Sequence, residues 1–231
     1  MLSARVFSGA ALLLGACASH QPSAQSAQSA PGALCGGATA PAAPAPAAPG
    51  RAALPAAAAR MLEPGPEARE LAKRAGRWSV VATFRASPSA PPMITKGLVA
   101  EREMVGLYLQ EVMKPAAGAP GPDFRRISYL TYSRIEGRYQ FVSLDTRMPV
   151  GIMPAASFGK EKDGKLVLIF EPLAFTGMGA EIEGHMVRSN YVLSRDTEDH
   201  DVAQQYWVQS DGSEQEWLAV EYDYTRERTT K

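Results

Sequence analysis

After Gly76 the period of apolar residues changes from helical to two, and this change limits the fold more than any other feature. Trp78, Val80, Ala82 and Phe84 share one parity, with Ser79, Thr83 and Arg85 on the other, which is the period of a half-buried strand. Similar runs recur at 95–104, 107–113, 126–132, 138–144, 165–171, 183–193, 202–208 and 216–224. Turn-forming residues separate them: Val105-Gly106, Glu136-Gly137, Asp163-Gly164, Asp199 to Asp201 and Asp211-Gly212. Short strands joined by hairpins favour a sandwich or a barrel over a parallel sheet. Nine or ten consecutive hairpin-linked strands predict an all-β domain, an antiparallel up-and-down barrel, because closure leaves no exposed edge.

One short helix is expected before the barrel. Pro64-Gly65-Pro66 precedes Glu67 to Ala75, and Gly76 follows. Proline suits a first helical turn and glycine the left-handed position just past the end. Glu67 and Glu70 sit near the positive end of the helix dipole, with Lys73 and Arg74 near the negative end.

The residues upstream have another character. From Ala18 to Ala59 the chain is almost wholly Ala, Pro, Ser, Gln and Gly. Such a segment has little apolar surface to offset the entropy of ordering, and its prolines favour extended conformations. It is expected to be a tether of ~35–40 Å as a flexible coil; a short helix at Ala56 to Leu62 is the one competing local reading. Ahead of it, Arg5 and the apolar stretch from Val6 to Leu14 have the form of a signal peptide, too short to span a ~30 Å bilayer core. The run Leu14-Gly15-Ala16-Cys17 resembles a bacterial lipobox, which implies a diacylglycerol (palmitate-type) anchor on the Cys17 thiol. Ala18 stands where an aspartate signals inner-membrane retention, so the expected address is the outer membrane, facing the periplasm. Cys35 is left without a disulfide partner. The chain thus divides into a signal peptide at 1–16, a lipidated cysteine and tether at 17–61, and a barrel domain at 62–228.

Charge and motifs exclude several functions. All 24 acidic residues and 21 of the 24 basic ones lie beyond residue 60, so the domain is nearly neutral and no nucleic-acid partner is expected. His20 lies in the tether, His200 in an acidic turn without calcium-loop spacing, and His185 has no second ligand at metal spacing. No metal or cofactor is expected. There is no Gly-x-Ser-x-Gly elbow and no phosphate-binding glycine loop. Glu101 and Asp145 could pair as carboxylates inside a barrel, but any barrel supplies such pairs by chance.

The ordered set Glu70-Leu71, Gly76-Arg77-Trp78, Gly97, Glu101, Met104 to Leu109, Tyr129, Tyr132, Gly137-Arg138-Tyr139, Asp145, Asp211-Gly212, Glu214 and Glu221 to Arg226 resembles the bacterial domain-of-unknown-function 1579 family. The resemblance spans residues 65–228. It implies a calycin-type, lipocalin-like barrel with an N-terminal helix and Gly-x-Trp at the first strand, and it carries no activity over. The loop at 115–123 is longer and richer in Pro and Gly than the family pattern, and the stretch at 148–156 lacks the family's run of small polar residues.

Three functions are carried forward. The first is a tethered module that takes a small apolar or amphipathic ligand, for which Tyr139, Phe141, Asp145, Met148 and Met153 are the candidate contacts, where a strand runs into an apolar loop. The second is a structural or protein-interaction lipoprotein with a filled barrel and no stated partner. The third is an enzyme on the same scaffold. Gly76 and Trp78 are expected to serve the scaffold, with Trp78 plugging the barrel base beside the helix.

Overall fold

A computed structural model describes residues 55–158, 164–175, 182–210 and 214–228. Cys17 and the tether up to residue 54 lie outside these residues.

Two short helices come first, α1 at Ala56–Met61 and α2 at Pro66–Ala72. Eleven strands follow: β1 Gly76–Phe84, β2 Met93–Val105, β3 Tyr108–Pro115, β4 Arg126–Ser133, β5 Arg138–Asp145, β6 Met153–Ala156, β7 Lys165–Phe170, β8 Leu173–Ala174, β9 Met186–Thr197, β10 His200–Gln209 and β11 Glu216–Arg226. Each pairs antiparallel with its neighbours. Because β10 pairs with both β9 and β11, ten strands close into a barrel. The tiny β8 prolongs β7 alongside β9 after the chain breaks at Pro172, which has no N–H for a ladder. The all-β antiparallel barrel expected from alternation is the observed fold.

Three elements differ from expectation. The segment 148–156 is not loop throughout: Met153–Ala156 forms β6, with Met153 opposite Ser143 and Ala155 opposite Phe170. The helix ends at Ala72 rather than Ala75, with Lys73 as its C-cap. At the end of the stretch assigned to the tether, the competing reading of a short helix at Ala56 to Leu62 is the one that forms, as Ala56–Met61, and Arg134 donates to the Arg60 carbonyl at 3.1 Å.

Gly76 therefore serves a strand start rather than a helix end. Its φ is +131°, which L side chains avoid, and a Cβ there would meet Arg226 Nη1 at 2.7 Å. That guanidinium reaches under the helix end. Nη1 donates to the Ala75 carbonyl at 2.6 Å and Nη2 to the Lys73 carbonyl at 2.8 Å, while the group lies 4.2 Å from the Trp78 ring centre. A cation over the last carbonyls of a helix favours the end of its dipole. The first and last strands are thus locked together at one end of the barrel, where Trp78 pairs with Arg226 in register.

The core follows parity. Trp78, Val80 and Ala82 are buried while Ser79 and Val81 face out. Between Val80 and Ala82 the β1–β2 register shifts by one, opposite Gly97 at φ +74°, a bulge that bends the strand for closure. Trp207 is buried, and its neighbour Tyr206 sits at a second bulge and is half-exposed. Leu71, the buried residue of α2, meets Leu130, Tyr139 and Leu166 at the base. Trp78 is fully buried beside it and donates Nε1 to the Arg74 carbonyl at 3.1 Å.

Trp78→Ala is expected to cost ~3–5 kcal/mol, a large share of the ~5–15 kcal/mol typical of a domain. Phe84→Ala, on the same face but half-exposed at the opposite end, should cost clearly less. Thermal and urea melts of the two variants measure the difference; equal losses would contradict this placement of Trp78.

Candidate functional site: an ionic belt beneath an aromatic cup

Alternation puts several charged side chains on inward parity. Arg102 lies between Ala100 and Met104, and Glu111 between Leu109 and Met113. Arg126 opens β4 ahead of Ser128 and Leu130, and Asp201 opens the inward face of β10. All four are buried. Removing such groups from water is costly unless each finds a partner, and closure of the barrel supplies the partners.

Glu111 is the centre. Arg102 Nε donates to its Oε2 at 2.8 Å. Arg126 Nη1 and the Tyr224 hydroxyl each donate to its Oε1 at 3.3 Å. Arg102 Nη1 donates to Asp201 Oδ2 at 2.6 Å, and Arg74 stands 3.7 Å from the same oxygen. Arg126 donates further to Ser143 Oγ at 3.3 Å and to the Tyr191 hydroxyl at 3.2 Å. Aromatic faces also lie against both cations: Arg102 lies 4.2 Å from the Tyr224 ring centre, and Arg126 lies 4.7 Å from that of Tyr222.

These contacts set the ionisation. Burial alone would push Glu111 up, but the Arg102 and Arg126 guanidiniums override it and hold the carboxyl below its usual range. Burial opposes the charge on both arginines too. Glu111, Tyr224 and Asp201 outweigh it at Arg102, and Tyr191, Tyr222, Tyr224 and Glu111 do so at Arg126, so both are held above the normal arginine range. Burial and the nearby Glu111 charge push the Tyr224 hydroxyl far up, keeping it a neutral donor.

The belt divides the interior. At the belt and beneath it, towards α2, lie voids of about 30 and 50 Å³, each with room for a few waters at most. Above it lies an open cup of about 230 Å³. Phe84, Phe170, Phe175 and Trp207 wall the cup, and Arg126, Ser143, Asp145 and Tyr222 supply its polar lining. Phe175 stacks on Trp207 with centroids 4.2 Å apart, and Trp217 meets Trp207 edge-on at 5.9 Å. At the rim, Arg147 donates from Nε and Nη2 to the two oxygens of Asp145, at 2.9 and 2.6 Å. Burial would raise Asp145, but these Arg147 bonds hold its pKa down.

Of the candidate contacts read from sequence, Asp145, Met148 and Met153 line the cup. Tyr139 and Phe141 do not. Tyr139 is at the base beside Leu71, edge-on to Tyr132 at 5.0 Å. Phe141 sits at mid-height against Tyr191 and Phe170, at 5.5 and 5.8 Å, bordering the small void at the belt. The reason is strand rise: β5 runs from base to mouth, and at ~3.4 Å per residue the six steps from Tyr139 to Asp145 cover ~20 Å. Parity makes all of them face inward but assigns no depth. The chance carboxylate pair does not form either. Glu101 has outward parity and binds Arg77 and Lys114, at 2.9 and 3.3 Å. Arg126, Ser143, Phe170, Phe175, Trp207 and Tyr222 complete the cup and were not singled out. The available signal was a charged residue on the apolar parity of a strand, as at Arg102, Glu111 and Arg126.

Glu111→Gln is expected to cost ~3–5 kcal/mol, because it leaves Arg102 and Arg126 buried with too little countercharge. The folded pKa values of Glu111 and Asp145 are depressed. Their stabilisation is therefore full above the unfolded carboxyl range of about 4 and is lost as pH falls through the lower folded values. Melts against pH should show parental stability level near neutrality and falling below about pH 4, with a shallower acid limb in Glu111→Gln. An equally steep limb in the variant would contradict the assignment.

The chain has no match among curated proteins. Among solved structures, the crystal structure of Rv2717c from M. tuberculosis is similar, at 13% identity and a TM-score of 0.48, over 72% of this chain and 100% of that one. The family described as protein of unknown function (DUF1579) matches residues 63–226, which take in α2 and all eleven strands. The chain belongs to the DUF1579 family.

Proposed function

We propose that the barrel is a binding module that takes one small apolar or amphipathic molecule in the cup, and that it is carried on a lipid anchor at Cys17. The observation that carries the first part is the contrast within one interior. The lower half is filled down to water-sized voids, whereas the upper half leaves about 230 Å³ between aromatic walls. An apolar cavity of ~150 Å³ is enough to hold benzene, so the cup fits a single substituted ring or a medium-length chain. Its lining joins apolar walls with a few convergent polar groups, the usual make-up of a small-molecule site. A purely structural barrel would gain from filling this space, since a void forfeits packing contacts.

Native mass spectrometry of the full-length Cys17→Ser chain, purified without detergent and free of anchor mass, tests the binding role. One small molecule per chain is expected. Ala82→Leu, which adds carbon atoms to the cup wall, should lose it while the melting temperature stays near the parent's. A parent that carries no added mass and takes up neither single-ring nor medium-chain probes would overturn the proposal.

The anchor rests on Leu14-Gly15-Ala16-Cys17 and on the tether behind it, which together suit a domain held off an envelope membrane. Cys17→Ser should leave the protein unacylated and move it from the membrane to the soluble fraction. Partitioning into detergent like the parent would show that the thiol is not the anchor.

A further inference from the structure

The charges inside the barrel form an alternating chain, Arg74, Asp201, Arg102, Glu111 and Arg126. It has three cations and two anions, so both ends are cationic. The Arg74 end lies at the helix-plugged base. The Arg126 end forms part of the cup lining, with its side chain only 7% exposed. A guanidinium has five N–H donors. Three directional contacts are made by Arg126, to Glu111, Ser143 and Tyr191, and all are long, at 3.2–3.3 Å. The one carboxylate that lines the cup, Asp145, is engaged by Arg147 through both of its oxygens.

A second observation is independent of these charges. Trp207 lines the cup and is 1% exposed, yet its Nε1 has no hydrogen-bond partner among the described residues. The other two tryptophans of the protein both donate to backbone carbonyls, Trp78 to Arg74 and Trp217 to Arg85. A buried donor without an acceptor is costly, and this one belongs to a side chain that walls the cup.

Resting on the reading of the cup as a ligand site, we propose that its occupant is a compact apolar carboxylate: one aromatic ring or a medium alkyl chain ending in a single acidic group. The carboxylate completes the charge alternation at Arg126 and accepts from Trp207 Nε1, and the apolar body lies against Phe84, Phe170 and Phe175. Three cations against two anions leave the whole chain one positive charge in excess, which a monoanion at Arg126 matches and a phosphate dianion exceeds. The modest volume excludes long or multi-ring acids.

Calorimetric titration of the full chain with two matched pairs tests this: phenylacetate against phenylacetamide, and hexanoate against hexanamide. Each acid should bind about tenfold or more tightly than its amide, the margin of a charge-assisted hydrogen bond over a neutral one. Trp207→Phe keeps a ring in the wall but removes the N–H, and should weaken binding of the acids about fivefold. If acid and amide bind equally, or the amide binds better, the acidic occupant is wrong while the cup remains a ligand site. If no member of either pair binds, the site reading fails and this inference fails with it. Should Trp207→Phe not fold, the acid–amide comparison in the parent still decides.

Discussion

One buried carboxylate, Glu111, holds two buried guanidiniums from neighbouring strands, and the arrangement of the barrel interior follows from that contact. Arg102 and Arg126 would be unsupportable without it, since each is nearly sealed from water. With it, three adjacent strands β2, β3 and β4 are tied at one height, and Asp201 extends the tie across the barrel to β10. Aromatic side chains above and below complete the solvation of the cations. The belt acts as a floor. What lies beneath it is closed by α2, Leu71 and Trp78. What lies above it is open and walled by aromatics.

Stability alone is a weak reason for such a belt. A buried ion pair generally does no better than well-packed hydrophobic residues of the same volume, although breaking one side of it is severe. A filled apolar core would have served a purely structural domain equally well. The belt does something that such a core cannot: it places a fixed cation, Arg126, in the lining of an aromatic-walled cup, with its orientation set by Glu111, Ser143 and Tyr191. Preorganised polar groups of this kind determine which ligand a pocket accepts.

Much of the fold was legible because a strand has a period of two. Parity alone predicts that Trp78, Val80 and Ala82 share the inward face. The segment β6 was hidden because it has four residues, one of them Pro154, and so too short a run to show alternation. The helix end was misplaced because Gly76 looks like a cap, whereas its positive φ answers the approach of Arg226, 150 residues away in sequence. The site was half legible. Asp145, Met148 and Met153 reach the cup, but Phe141 and then Tyr139 lie progressively deeper, since periodicity carries no information on height. The belt itself was least accessible. Each of its charges sits on an apolar parity, a detectable anomaly, but the pairing of Arg102 with Asp201 depends on closure between strands 99 residues apart.

The state of the Glu111 carboxyl tests this account most directly. In protein carrying carbon-13 at the glutamate side-chain carboxyls, with Glu111 assigned by comparison with Glu111→Gln, its chemical shift can be followed as acid is added. The account predicts that Glu111 remains ionised below about pH 4, where ordinary glutamates have begun to protonate, and that it takes up a proton only as the barrel unfolds. A titration of Glu111 at or above the ordinary glutamate range in the folded protein would contradict it, because the two guanidiniums would then not be bound to a carboxylate at all.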